Sequence, residues 1–180
     1  MGAGLPPTAE HIIDLLGLEP LPREGGFYAE TFRGDALPTD LLGEAGDRPV
    51  KTAIYYLMTL DGFSAMHRLP TPELFHFYLG DPIEQLLLFP DGTGRVARLG
   101  ADLLGGERPQ SLVPGGVWQG ARLAPGWRLG YALLGTTMAP GFVFSLYEHG
   151  QREPLLAAYP AFADRLLALT RDAADDPDGA

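Results

Sequence analysis

Thr52-Ala53-Ile54-Tyr55-Tyr56-Leu57-Met58-Thr59 is a run of β-branched and aromatic residues, and Asp61-Gly62 closes it with a tight turn. Toward the C-terminus the same texture repeats. Residues 63–68, 74–79, 85–89, 95–99, 110–113, 117–123, 127–134 and 142–148 all read as short strands. Turn formers separate them: Pro70-Thr71-Pro72, Gly80-Asp81-Pro82, Asp91-Gly92, Gly105-Gly106, Pro114-Gly115-Gly116, Pro125-Gly126 and Pro140-Gly141. No stretch between them is long enough for a crossover helix, so a parallel α/β sheet is disfavoured. Roughly eight to ten short strands at this spacing imply an all-β sandwich or barrel.

Working outward, residues 27–32 give one more aromatic, extended segment, and residues 34–49 turn polar and glycine-rich like an exposed loop. Thr8 reads as an N-cap, Ile12, Ile13, Leu15 and Leu16 as an apolar stripe, and Gly17 as a left-handed helix stop. At the other end Pro160 opens a second helix, with Phe162, Leu166, Leu167 and Leu169 on one side. Residues 1–171 are expected to form one domain. The cluster Asp172, Asp175, Asp176 and Asp178 makes 172–180 an expected acidic, disordered tail.

The chain carries 23 acidic and 13 basic residues, a formal charge of −10. Such a surface repels phosphate backbones and anionic lipid heads, which argues against nucleic-acid and membrane partners. Without cysteine there is no disulfide and no thiolate chemistry. No apolar run of about 18 residues occurs and no secretory pattern opens the chain, so a cytoplasmic protein is expected.

Histidine is scarce: His11, His67, His76 and His149. His67 and His76 flank Glu73 on what read as adjacent strands, a set suited to acid–base work or to metal. Glu73 and His76, however, lie three positions apart, and an unbroken strand would turn them to opposite faces. An imidazole ordinarily titrates near neutrality, which makes His67 the candidate general base, with Glu73 expected to orient its ring. Gln119 offers both a donor and an acceptor to hydroxyls or amides. Tyr56 and Trp118 are candidates to stack on a ligand ring, and Arg33 and Arg68 to hold an anionic group. Tyr28 and Glu30 are expected at the cavity mouth or a dimer seam. Gly25-Gly26 reads as a backbone kink, because no P-loop Lys-Ser/Thr follows. His11 and His149 are expected at the surface.

Glu73 and Gly80, with His67 before them, resemble the first motif of the cupin superfamily. Pro114-Gly115-Gly116-Val117-Trp118-Gln119 resembles the second, with Gln119 in the place of a histidine. A closer resemblance is to a group of uncharacterised cupins. It rests on residues 24–33, 52–57 and 63–68, Gly80-Asp81-Pro82, residues 113–119 and Ala139-Pro140-Gly141-Phe142. This resemblance implies a cupin double-stranded β-helix, a jelly-roll barrel with the N-terminal and C-terminal helices packed outside. It also implies a homodimer and a fold similar to that of the dTDP-sugar 3,5-epimerases.

Metal-binding cupins usually offer three histidines and a glutamate, whereas here Ala65 and Gln119 stand at two of those places. The expectation is therefore no cofactor. Were a divalent metal bound, His67, Glu73 and His76 would be its ligands. Three functional readings stay open. One is an epimerase or isomerase acting on a sugar or sugar nucleotide with His67 as base, the second a non-catalytic metabolite-binding protein, the third a metal-dependent cupin enzyme.

Overall fold

The computed structural model describes residues 6–36 and 48–171. Both the expected tail at 172–180 and most of the expected loop at 34–49 lie outside the described residues, although a bridge between Ala36 and Pro49 ties the two ends of that loop.

Helix α1 (Ala9–Leu16) begins where the Thr8 hydroxyl oxygen accepts from the His11 N–H, and ends where Gly17 turns left-handed at φ 62°. Among the described residues eleven strands follow in two antiparallel sheets. One sheet comprises β1 (Glu19–Pro20), β2 (Phe27–Arg33), β3 (Thr52–Thr59), β10 (Tyr131–Met138), β5 (Glu73–Gly80) and β8 (Gln110–Val113), side by side in that order. The other runs β11 (Glu148–His149), β4 (Ser64–Arg68), β9 (Trp118–Leu123), β6 (Ile83–Leu88) and β7 (Gly94–Leu99). Every pairing between named strands is antiparallel, and consecutive strands repeatedly cross from one sheet to the other, as in a jelly roll.

Alternation along the strands builds three apolar layers. Ala132 and Leu134 of β10 face Ile83 and Leu87 of β6 across the interior, together with Tyr56, Met58, Phe75 and Val117. Tyr131 and Leu133 point the other way and are covered by Ile12 of α1 and by Leu18. Likewise Leu86 and Leu88 leave the interior to meet helices α2 (Arg152–Ala158) and α3 (Ala163–Leu169), through Leu155, Leu166 and Leu169. The expected helices thus pack outside the sheets at both ends of the chain. Among the described residues no helix is long and apolar enough to cross a membrane.

Three expectations need correction. The strand read at 127–134 begins only at Tyr131, because the buried Asp81 carboxylate accepts the backbone N–H groups of Arg128, Leu129 and Gly130 at 2.9, 2.8 and 2.6 Å and holds them as a turn. The strand read at 142–148 is mostly a 3-10 turn at Phe144–Leu146, with only Glu148–His149 paired. There the chain is fastened by side chains: Thr52 accepts from the Phe142 N–H, and the Arg48 guanidinium donates to the Gly141 carbonyl. Finally, His149 is buried and not a surface residue, since β11 docks on β4 opposite His67.

Candidate functional site

Between the sheets, at one end, lies a cavity of about 230 Å³. Its walls are mostly apolar, with Leu21, Ile54, Leu69, Met138, Phe142 and Phe144 among them. Set into these walls are His67, Glu73, Glu24, Thr136 and, toward the mouth, Arg23, Glu30 and Arg33. A concave, largely apolar space with a few convergent polar groups is the usual form of a small-molecule site.

His67 owes its aim to a β-bulge. In the pairing of β4 with β9, Ser64 faces Ala121 and His67 faces Gln119, so β4 carries one extra residue between them. In a regular strand two residues three apart would point to opposite faces. Here both reach the same carboxylate, Glu24: the Ser64 hydroxyl donates to its Oε1 at 2.7 Å, and His67 Nε2 lies 3.9 Å from its Oε2. The His67 Nδ1 bonds the Ala65 carbonyl at 2.8 Å. A carbonyl only accepts, so Nδ1 carries a proton, and in the neutral ring it is Nε2 that keeps the lone pair. Among the described residues nothing hydrogen-bonds Nε2, although His67 is only 1% exposed. The ring stacks on Tyr147 at 5.2 Å between centroids, and the Arg23 guanidinium lies 5.3 Å from the centre of that Tyr147 ring.

Glu24 was not singled out from the sequence as a site residue. It reaches the cavity because residues 21–26 form the tight hairpin between β1 and β2, closed by the Leu21 N–H to the Gly26 carbonyl at 2.9 Å. Arg23 there adopts a left-handed φ of 66°. Gly26, at φ 73°, lets the hairpin approach the core: a Cβ on it would lie 2.8 Å from the Leu57 carbonyl oxygen and 2.9 Å from the Tyr56 ring. The glycine pair is thus the expected kink.

Glu73 starts β5 and faces inward, 7% exposed. It does not bond the His67 ring as expected; the Ala65 carbonyl holds that ring instead. Its Oε2 accepts from Gln119 Nε2 at 2.7 Å. Gln119 Oε1 in turn accepts from Gln85 Nε2 at 3.1 Å, and Gln85 Oε1 accepts from the Ser111 hydroxyl at 2.7 Å. This buried relay fixes which end of the Gln119 amide meets Glu73. Burial, and then the charge of Glu24, push the Glu73 carboxyl above its ordinary titration range, against a smaller opposing pull from His67, Gln119 and Thr136.

Of the other residues selected from sequence, Tyr28 and Arg33 line the cavity, and Arg33 is held by a bidentate pair with Glu30 at 2.9 and 2.7 Å. Tyr56 is buried in the core, its hydroxyl donating to the Gly25 carbonyl at 2.9 Å; burial and the charge of Glu24 push its titration well up. Arg68 and Trp118 lie apart from the cavity lining. The Arg68 guanidinium stacks 4.6 Å over the Trp118 ring and pairs with Glu148, while Trp118 packs with the C-terminal helices. His76 is also apart, on the opposite face of β5 from Glu73 as their spacing requires. It bonds Thr137 Oγ1 at 3.0 Å and Gln110 at 3.1 Å, and stacks on Tyr78.

This donor set does not fit a resident divalent metal. His76 cannot join His67 and Glu73, both ends of the Gln119 amide are taken, and no group of three or more His, Cys, Asp or Glu among the described residues is close enough to hold an ion. Thr136, Phe142, Phe144 and Tyr147 escaped the sequence reading. Inward alternation along β10 would have flagged Thr136, but the irregular course of residues 140–147 offers no periodic signal.

An antiparallel jelly roll with a polar-tipped cavity between its sheets is the architecture of a cupin. The chain belongs to the family described as "Cupin superfamily (DUF985)", whose model matches residues 10–150. It is 30% identical over 131 residues to an uncharacterised protein of Saccharomyces cerevisiae, covering 68% of this chain and 65% of that protein's length. Two solved structures are similar across nearly all of the chain. One is a protein of Shewanella oneidensis, 33% identical with a TM-score of 0.81, covering 92% of this chain and 98% of that one. The second is a hypothetical protein of Leishmania major, 29% identical with a TM-score of 0.83, covering 92% and 100%.

Proposed function

We propose that the cavity binds a small carbonyl compound of sugar-ring size and that His67 acts on it as general base in an isomerase or epimerase reaction. The observation that carries this reading is His67 Nε2, which faces the cavity without a hydrogen-bond partner among the described residues while Nδ1 is held by Ala65, so that the neutral ring turns its lone pair to the cavity. The step is a proton transfer. Nε2 takes a proton from the carbon beside the carbonyl, the C–H electron pair moves to the carbonyl oxygen, and return of the proton to another face or atom completes the isomerisation.

A panel of keto-sugars and keto-sugar nucleotides incubated with the protein in deuterated water tests this by NMR. Deuterium should enter the carbon next to the carbonyl of at least one compound, and His67→Ala should abolish it. No exchange across the panel would remove the catalytic reading. One observation favours a second reading, a non-catalytic metabolite-binding protein: Glu73 and Gln119 are bonded to each other and not to His67, which leaves a single open acid–base nitrogen. Tight binding of a panel member without exchange would select it.

A further inference from the structure

The polar end of the cavity is unbalanced in hydrogen-bonding terms. In its neutral form His67 turns the Nε2 lone pair to this space, Glu24 Oε2 lies 3.9 Å beyond it, and Glu73 faces the same space, held by Gln119 at Oε2 and by a side-chain hydrogen bond with Thr136. The Thr136 hydroxyl is bonded to Glu73, and Tyr28, Thr52 and Tyr147 supply the other hydroxyls of the lining. Among the described residues no lysine or arginine forms an ion pair with Glu24 or Glu73. Among the described residues no three His, Cys, Asp or Glu side chains are placed to hold a metal ion together. An organic head group, which needs donor–acceptor distances near 2.8 Å to each of them and not about 2 Å to a common centre, fits that spacing better.

We infer that the cavity selects an organic amine, seating its ammonium group among Glu24, Glu73 and His67 while its carbon skeleton lies against Ile54, Leu69, Met138 and Phe142. This rests on the proposed reading of the cavity as a small-molecule site and narrows the substrate class. Three features of the molecule support a cation over a neutral or anionic head. Two carboxylates converge on one buried space; the 1%-exposed imidazole beside them, in its neutral form, turns a lone pair and not an N–H toward it; and the protein as a whole carries a charge of −10, which draws cations toward it. Aromatic Phe142 and Phe144, packed edge to face at 4.9 Å, add ring surface to the wall. A carboxylate or phosphate placed between Glu24 and Glu73 would meet two like charges.

Three probes of one shape decide the matter: n-butylammonium, 1-butanol and butyrate, titrated in phosphate buffer and followed by NMR of the His67 and Tyr147 rings. Butylammonium should bind about tenfold or more tighter than butanol, with butyrate weakest. Glu24→Gln and Glu73→Gln should each lose about tenfold of the butylammonium affinity and leave butanol little changed. Thermal melts of both variants establish that they fold, and either one alone suffices. Butyrate or butanol binding as tightly as the amine would overturn the inference and leave the small-molecule reading standing. So would amine binding unaffected in a folded variant. If no probe perturbs His67 or Tyr147 at any concentration, both readings fall together.

Discussion

Gln119 donates a 2.7 Å hydrogen bond to Glu73 from the neighbouring sheet, so the two sheets are joined at the cavity by a buried amide–carboxyl contact. Removing the amide leaves two buried groups without a partner, Glu73 Oε2 and Gln85 Nε2. An unsatisfied buried polar group costs about 1–3 kcal/mol, more when charged. Gln119→Leu should therefore lower unfolding stability by about 3 kcal/mol in urea denaturation. A loss below about 0.5 kcal/mol would mean that the relay through Gln85 and Ser111 repacks freely.

Glu73 makes a second, pH-resolved prediction. Its titration is raised from the model-compound value of 4.5 by burial and by the charge of Glu24. A raised carboxyl binds its proton more tightly in the folded state. Its contribution to stability is complete below that unfolded-state value and is lost as pH rises through the folded-state value. Glu73→Gln removes the titration. The stability of this variant relative to the natural chain should climb as pH is raised from about 4 to about 8. Urea midpoints across that range check the sign, and a falling difference would show that Glu73 is stabilised as the anion.

Asp81 governs a turn that sequence patterning mistakes for strand. Its carboxylate accepts three backbone N–H groups, from Arg128, Leu129 and Gly130. Replacing it by alanine orphans those donors at the entrance to β10, the strand that lies between β3 and β5. Asp81→Ala should cost about 2–4 kcal/mol, whereas Asp81→Asn, which keeps one acceptor oxygen, should cost less. Equal losses in the two variants would show that the negative charge, and not the acceptor geometry, holds the turn.

How far the sequence reaches is clearest from pairs of residues. Strand β3 is legible to the residue, because its β-branched and aromatic run ends at an Asp-Gly turn. Glu73 and His76 were separable by spacing alone, and the structure places them on opposite faces of β5. His67 and Gln119, 52 positions apart, are cross-strand partners, a pairing that no local pattern announces. Glu24 was not legible as a site residue, since its position depends on a left-handed Arg23 and two glycines folding a hairpin over the interior. Tyr147 was hidden for a similar reason: its place beside His67 follows from a 3-10 turn and a two-residue bridge, neither of which has a period to read. Periodic burial is written locally, while irregular segments are placed by contacts distant in sequence.

The same hairpin supports a test that separates backbone strain from crowding. Gly17 and Gly26 both have left-handed backbones, at φ 62° and 73°. A Cβ at Gly17 would meet nothing within 4 Å, whereas at Gly26 it would run into the Leu57 carbonyl and the Tyr56 ring. Gly17→Ala should therefore cost only the conformational penalty of about 1 kcal/mol. Gly26→Ala carries that penalty plus the displacement of a hairpin held against a packed core, and should cost about 2–4 kcal/mol. Because the hairpin carries Glu24, Gly26→Ala should also shift the NMR signals of the His67 ring, which Gly17→Ala should leave in place. Similar melts for the two variants, with His67 unmoved in both, would mean that the approach of the hairpin to Tyr56 does not position Glu24.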